Sequence, residues 1–279
     1  TWEIADIAQP QHSALALTWF ENVINKAKET LNTQFEQYRI SEALMTVYTT
    51  FRDEFSSWLL EIIKPAYGQP IDRKTYEKTL DLFAELLQLL HPFMPFITEE
   101  IWQNLKERKT GESIMVSVIN NDTPYDENLL KEFEFVKEII VGIRNIRKQN
   151  NIAFKDSLEL KVKKNDRYPA AFASIVEKMG NISATETVTE AVKGAWSFIV
   201  DTVEYFIPGT GNVDTAEVKA KLEEELKYTR GFLKSVMAKL SNERFVSGAP
   251  EQVVANERKK QADAEAKIAA IEAQLAELK

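Results

Sequence analysis

Two prolines three residues apart, Pro92 and Pro95, constrain the fold of this chain more than any other feature of its sequence. Proline has no amide hydrogen and disfavours helix at the residue before it, so the upstream helical pattern should end near His91. Pro95 suits the first turn of a new helix, where a missing donor costs nothing. Glu99 and Glu100 then lie near the positive end of that helix's dipole. The stretch therefore predicts a tight corner between two helices, with His91 in a structural role.

Residues on both sides of this corner have apolar side chains three or four apart, the period of an amphipathic helix. A serine or an aspartate before an apolar run is a good N-cap. The predicted helices run from the cap Ser13 to about Thr33, from the cap Ser41 to Lys64, from the cap Asp72 to about Leu90, and from Pro95 to about 109–111. The second helix has a predicted inward face that includes Leu44, Val47, Tyr48, Phe51, Phe55, Trp58, Leu59 and Ile62. Amphipathic helices with short connections indicate an antiparallel helical bundle, which we assign to residues 1–125.

β-Branched residues and short alternating runs interrupt the helical period in the middle of the chain. The clearest strand is 158–163, because its residues alternate between apolar and charged. The other predicted elements are a strand at 113–119, a helix at 126–149, a short helix at 168–179, and strands at 182–187 and 197–207. A small α+β unit is therefore predicted for residues 126–208.

The last part of the chain, residues 213–279, is rich in Ala, Glu, Lys and Leu. Apolar residues spaced three or four apart form two runs, at 218–240 and 254–278. A break at 241–250, which contains Gly248 and Pro250, separates them. This pattern predicts an antiparallel coiled-coil hairpin with the break as its tip. Glu257 and Gln261 are polar at core positions, so the hairpin should be weakest beside that tip.

No group of residues in the sequence forms a defensible catalytic or metal site. The chain has no cysteine, which excludes disulfides, thiolate metal sites and cysteine nucleophiles. Its two histidines are far apart in sequence, and no glycine-rich phosphate loop is present. No apolar run approaches the length that spans a bilayer. We therefore expect no catalytic residues, no metal and no membrane partner in this chain, and a cytoplasmic location.

Local charge points instead to a binding role. The net charge of -8 hides a basic segment, 137–167, with nine basic and four acidic side chains, and another, 227–244, with five and one. Local charge rather than net charge decides contact with phosphates, so these segments hint at a nucleic acid partner. Ordinary solvated helix faces explain the same charges equally well.

The candidate contact residues fall in two groups. Arg144, Arg147 and Lys148 end the predicted helix 126–149; the alternative is that they merely favour the negative end of the helix dipole. The second group surrounds the hairpin tip and comprises Lys239, Arg244, Phe245, Arg258, Lys259 and Lys260. An aromatic ring beside cations can stack on a base while the charges contact phosphates. The alternative is that Phe245 fills the turn of the hairpin.

Several stretches resemble class I aminoacyl-tRNA synthetases. The corner from His91 to Trp102 closely resembles the one in the helical anticodon-binding domain of these enzymes, and Tyr38–Ala43 and Asp53–Pro65 are similar to the same domain. These segments resemble the branch that handles valine, isoleucine and leucine. Ile143–Ile152 and Asn242–Arg258 narrow the resemblance to the valyl-tRNA synthetase family, in which the latter segment is the tip of a C-terminal coiled-coil arm.

The resemblance implies a longer parent enzyme that joins valine to its tRNA with ATP and Mg²⁺. The two ATP-site signatures of the family, His-Ile-Gly-His and Lys-Met-Ser-Lys-Ser, do not occur in these 279 residues. The chain would therefore be a C-terminal portion that holds tRNA and should not activate valine by itself. A first family helix is expected before Thr1, together with some of the residues that read the anticodon. Expected partners are tRNA and the rest of the parent polypeptide, with the chain as a monomer.

Two other interpretations remain open at this point. The parent could act on isoleucine or leucine, although an isoleucine enzyme often ends in a cysteine-bound zinc module and this chain has no cysteine. The chain could instead be a helical scaffold whose coiled coil binds a protein or a second copy, which the nearly neutral charge along the hairpin permits.

Overall fold

A computed structural model describes residues 3–119, 123–209, 215–248 and 251–277 of the protein, which is mainly helical with a small sheet. The chain divides into two compact units. The first unit contains Thr1–Lys137 and Pro169–Met179, and the second contains Glu138–Tyr168 and Gly180–Lys279. No described helix is long and apolar enough to cross a membrane.

The first unit is helical, apart from two short strands, β1 and β2, that pair in parallel. Its elements are β1 (Ile4–Ala5), α1 (Gln11–Glu36), α2 (Ile40–Thr49), a π-helical segment (Thr50–Leu59), α3 (Leu60–Ile63), β2 (Ile71–Asp72), α4 (Arg73–Leu90), α5 (Pro95–Leu105) and a 3₁₀ turn (Ile114–Val116). Aromatic rings fill its core. Trp19 stacks on Phe133 with ring centroids 3.9 Å apart, and Phe55 stacks on Phe83 at 5.3 Å.

The corner at Pro92 and Pro95 forms as predicted. Helix α4 ends at Leu90, and Pro95 is the first residue of α5. His91 Nδ1 lies 2.7 Å from the hydroxyl of buried Thr98, which donates to the Met94 carbonyl at 2.8 Å. His91 therefore ties the two helices together across the corner.

Of the three predicted helix caps, only the cap of α4 is confirmed. Asp72 Oδ1 accepts a hydrogen bond from the Thr75 amide at 2.8 Å. Ser13 is wrong as a cap: α1 begins earlier, directly after Pro10, and Ser13 is buried in its first turn. Ser41 is also wrong, because Tyr38 takes a left-handed conformation (φ 58°) that completes the turn before Ile40.

The second predicted helix forms without a break in helical structure, but it is α-helical only at its two ends and π-helical between them. In the π-helical segment Thr50–Leu59, the hydroxyls of Ser56 and Ser57 donate to the carbonyls five residues earlier. A π-helix has more residues per turn, so it shifts the inward face relative to a regular α-helical count. Leu44 and Tyr48 are correspondingly exposed, contrary to the prediction, whereas Phe55, Leu59 and Ile62 are buried.

The predicted strand at 113–119 is wrong. Residues Ile114–Val116 form a 3₁₀ turn instead. The Glu99 carboxylate accepts from the Ile114 amide at 3.1 Å, and the Ser113 hydroxyl accepts from the Met115 amide at 3.2 Å. These side chains occupy amides that a neighbouring strand would otherwise pair.

Helix α6 (Glu127–Gln149) contributes residues to both units. The segment that follows β3 in sequence forms a 3₁₀ turn (Ala170–Phe172) and α7 (Ala173–Gly180), close to the predicted short helix. Phe172 packs edge-on against Phe133 in the first unit, with ring centroids 5.7 Å apart.

The second unit contains a mixed four-stranded sheet with the order β4-β3-β6-β5. The strands are β3 (Leu158–Lys163), β4 (Ile182–Val188), β5 (Ala195–Val200) and β6 (Val203–Pro208). β3 pairs in parallel with β4 and antiparallel with β6. The single strand predicted at 197–207 is wrong, because Asp201 adopts a left-handed conformation (φ 54°) and turns the chain back on itself.

The second half of α6 packs on this sheet. Ile139, Ile140 and Ile143 are fully buried. Gly142 lies against the Phe198 ring, and a Cβ atom at this position would lie 2.2 Å from Phe198 Cδ2. Glycine is therefore required for this close approach.

The C-terminal helices of the second unit are α8 (Thr215–Leu240), α9 (Glu243–Gly248) and α10 (Glu251–Glu277). Helices α8 and α10 are joined by ion pairs from Arg230 to Glu272 (2.5 Å) and from Lys239 to Glu257 (3.7 Å). The described apolar residues at their interface include Val236, Val254, Ala264 and Ile271, which are all buried. The break predicted at 241–250 is not free of regular structure, since α9 lies within it.

Candidate nucleic-acid interface

Arg147, a predicted contact residue, is buried at the end of α6 with an exposed fraction of 5%. Its Nη1 donates to the carbonyls of Ala153 and Asp156, at 2.9 and 2.8 Å. Its Nε and Nη2 both donate to the Gly180 carbonyl, and Nη2 also donates to that of Asn181 at 3.1 Å. Burial lowers the pKa of this guanidinium, while the charge of Asp156 opposes the shift. Arg147 joins three chain segments and is not available to a phosphate, which corrects its predicted role.

The other two predicted cations at this helix end are exposed. Arg144 and Lys148 lie on the outer side of α6, away from the buried Ile143 and Ile146. Of the residues described, no carboxylate lies within ion-pair distance of Lys148. This helix end therefore presents positive charge to solvent.

Glu257 neutralises part of the positive charge near the arm tip. Its side chain is 6% exposed and accepts a hydrogen bond from Lys260 at 2.6 Å, and Lys239 lies 3.7 Å from its other oxygen. The hydrogen bond from Lys260, with the charge of Lys239, lowers the pKa of this carboxyl group. A buried carboxylate between two lysines holds α10 to α8 at the position where the sequence predicts the weakest packing.

The remaining tip residues differ in their surroundings. Arg258 and Lys259 are exposed, and Phe245 is half-buried on α9. The side chain of Arg244 lies outside the described residues, so its predicted position beside Phe245 stays a prediction. In the described part, the exposed positive charge near the tip is concentrated on α10.

Phe154 and Lys155, which follow α6, are not among the predicted contact residues. Phe154 has an exposed fraction of 58%, and Lys155 is also exposed. An aromatic residue next to a lysine, shortly after a basic helix end, is a signal that could have identified them. Both belong to the segment 150–157, which Arg147 holds in place.

Among the described residues, no group of three or more His, Asp and Glu side chains could hold a metal ion. The exposed side chains on these surfaces offer ammonium and guanidinium groups that can bind phosphates, and aromatic rings that can stack on bases.

Comparison with known proteins gives two matches to family models. Residues 18–163 match the anticodon-binding domain of tRNA ligase, and residues 214–279 match the valyl tRNA synthetase tRNA binding arm.

Full-length relatives align over the whole chain. It is 55% identical to the valine–tRNA ligase of Phocaeicola vulgatus over 278 residues, and the alignment covers 100% of the chain. It is 47% identical to that of Christiangramia forsetii and 32% identical to that of Enterococcus faecalis, with 99% of the chain covered in each case. The chain spans 32% of the length of each of these relatives.

Proposed function

The chain belongs to the anticodon-binding domain family of tRNA ligases and carries the valyl-tRNA synthetase arm, and from this premise we propose that it is the tRNA-binding region of a valine–tRNA ligase. The observation that carries the proposal is the order of the two matches within a chain that aligns from end to end with valine–tRNA ligases. In this proposal the helical bundle meets the anticodon stem and the arm meets the outer corner of the tRNA.

The arm has the form of an antiparallel coiled-coil hairpin in this proposal. Two ion pairs support it, because the residue number rises along α8 from Arg230 to Lys239 while it falls along α10 from Glu272 to Glu257. The helices of the first unit form the antiparallel bundle. The proposed functional boundaries are 1–125 for the bundle, 126–208 for the α+β unit and 213–279 for the arm.

The proposed contact set follows from exposure and charge. It contains Arg144 and Lys148 at the end of α6, and Arg244, Phe245, Arg258 and Lys259 at the arm tip. Lys239 and Lys260 also belong to it, although Glu257 offsets part of their charge. Arg147 is left out, because its donors are all directed at backbone carbonyls.

Aminoacylation itself belongs, in this proposal, to the part of a longer enzyme that holds the ATP-site signatures. ATP and Mg²⁺ would be bound there, in the part of the relatives that this chain does not span. We further propose that the chain acts in the cytoplasm and is monomeric apart from the rest of its parent polypeptide.

The alternatives are less well supported. The relatives reported above are named valine–tRNA ligases, and the arm model is a valyl one, so valine is favoured over isoleucine or leucine. A helical scaffold that binds a protein would not account for the match of the first half of the chain to an anticodon-binding domain.

The proposal is tested by equilibrium filter binding of the full chain to a valine tRNA transcript at two salt concentrations. Because phosphate contacts release counterions, the affinity for tRNA should fall by at least about ten-fold when salt is raised from about 50 to about 200 mM. A protein with the same net charge of -8 and no basic surface provides the control. An affinity that is indifferent to salt, or no binding at either concentration, contradicts the proposal.

A further inference from the structure

The segment 150–157, which follows α6, holds a phenylalanine ring in solvent on a fixed backbone. Carbonyls on both sides of Phe154, those of Ala153 and Asp156, accept hydrogen bonds from Arg147. The Phe154 carbonyl itself accepts from Asn181 Nδ2 at 2.7 Å. Phe154 nevertheless keeps an exposed fraction of 58%.

The ring is positioned as well as its backbone. The guanidinium carbon of Arg147 lies 5.6 Å from the centroid of the Phe154 ring, within the range of a cation–π interaction. Asn151, near the start of this segment, takes a left-handed conformation with φ of 53°, and so does Asn181, with φ of 49°, whose side chain donates to the Phe154 carbonyl. Because contacts within the chain already order this segment, a ligand that binds the ring has little ordering cost to overcome.

Two exposed lysines lie close to Phe154 in sequence. Lys155 follows it in sequence and Lys148 lies in the last turn of α6, and both side chains are exposed. Within the described ranges, no carboxylate pairs with either lysine. Asn151 and Ser157, in the same segment, are also exposed.

We propose that Phe154, Lys148 and Lys155 form an RNA contact surface in which the ring stacks on an unpaired base and the lysines bind the flanking phosphates. Arg147 is the positioning residue that fixes the segment and the ring. This inference rests on the proposed function, because it takes the RNA to be the bound tRNA.

The side chains of this surface are better suited to bind a nucleic acid base than to bind a protein. A protein-binding patch usually has several apolar side chains that are contiguous. Here one ring stands among lysine, asparagine, aspartate and serine side chains, in a segment of positive charge. Aromatic rings flanked by cations bind single-stranded nucleic acid by stacking.

Two substitutions of Phe154 distinguish stacking by an aromatic ring from contact by any apolar side chain. Phe154→Leu keeps an apolar side chain but removes the flat ring, whereas Phe154→Tyr keeps the ring. In filter binding of the full chain to a valine tRNA transcript, Phe154→Leu should weaken binding by at least about five-fold and Phe154→Tyr should bind like wild type. If both variants bind like wild type, or if Leu is tolerated and Tyr is not, the stacking proposal is overturned.

Salt dependence tests the lysines separately. Lys148→Gln and Lys155→Gln should each lower the slope of log affinity against log salt by about 1, while Phe154→Leu leaves the slope unchanged. Lys131→Gln is the matched control, because Lys131 already pairs with Glu127 at 3.6 Å in the first unit. If the slope is unchanged for both lysine variants, Lys148 and Lys155 do not contact the RNA phosphates.

A double-mutant cycle tests the role of Arg147. If Arg147 positions the ring, Phe154→Leu should cost much less affinity in an Arg147→Lys background than in wild type. A residue with a merely structural role would leave the cost of Phe154→Leu unchanged. Failure of the proposed function and failure of this inference give different results. If the wild-type chain does not bind tRNA, the proposed function is wrong. If Phe154→Leu binds tRNA like wild type, only this inference is wrong.

Discussion

At the scale of single residues, Arg147 shows how one side chain can be reassigned by its contacts. In sequence it is a cation at a helix end, equivalent to its neighbours Arg144 and Lys148. In the structure its carbonyl partners include Gly180 and Asn181, more than thirty residues away. No local pattern reports such distant acceptors, so sequence could not separate the buried cation from the exposed ones.

Arg147→Met should destabilise the chain by about 2–4 kcal/mol, because the buried Gly180 carbonyl and three partly buried carbonyls lose a charged donor. Urea unfolding followed by circular dichroism measures this change. Lys148→Met, one residue further on and exposed, is the control and should stay within about 0.5 kcal/mol of wild type. Equal stability of the two variants would show that the Arg147 contacts contribute nothing.

Sequence predicts the role of a single residue best when its contact partners lie within a few residues of it. The Asp72 cap could be predicted because its acceptor and the Thr75 amide are three residues apart. The Ser13 and Ser41 caps failed because Pro10 and the left-handed Tyr38 place the preceding turns elsewhere. In the candidate site, the charge of Lys148 at a helix end made it a candidate contact residue, whereas Phe154 follows the helix as a single aromatic residue, and its fixed backbone depends on the distant contacts of Arg147 and Asn181.

At the scale of elements, the sequence predicted helices best where prolines or long periodic runs delimit them. Both helix ends at the Pro92–Pro95 corner and most of the two C-terminal helices lie close to their predicted bounds. The predicted end of α5 at 109–111 is wrong, because α5 ends at Leu105. The π-helical segment Thr50–Leu59 was not predicted, because its apolar spacing still fits a regular helix. The strand at 113–119 failed because the competing acceptors, Glu99 and Ser113, are side chains.

The corner has a specific pH dependence. Glu99 accepts hydrogen bonds from Gln103, Ser113 and the Ile114 amide, and these bonds lower its pKa below the ordinary 4.5. A carboxylate with a depressed folded-state pKa stabilises the fold above its unfolded pKa, and this contribution is lost as pH falls through the folded pKa.

Glu99→Gln should therefore unfold at lower urea than wild type at neutral pH, and the difference should shrink below pH 4.5. Glu100→Gln, on the same helix, is the control and should show a smaller difference, since the Glu100 carboxylate accepts only a long bond of 3.4 Å from Asn104 among the described contacts. The measurement is the urea unfolding midpoint of each variant and of wild type at several pH values between about pH 7 and pH 3. A difference between Glu99→Gln and wild type that is independent of pH would contradict the account.

At the scale of the whole molecule, the net charge does not describe the local charge that a partner would meet. The net charge is -8, yet most of the basic segment 137–167 lies in the second unit and carries exposed lysines. The helical class and the small sheet could be predicted from sequence. The allocation of 169–179 to the first unit could not, because it depends on packing such as Phe172 against Phe133.

The central claim is that this chain holds a tRNA at two places, the bundle at the anticodon stem and the arm at the outer corner. Hydroxyl-radical footprinting of a valine tRNA transcript bound to the full chain tests it most directly, because bound phosphates shield the adjacent sugars. We expect two separate protected segments, one in the anticodon stem and one at the outer corner, and both should disappear as salt is raised. Protection confined to the acceptor stem, or no protection at low salt, would contradict the claim.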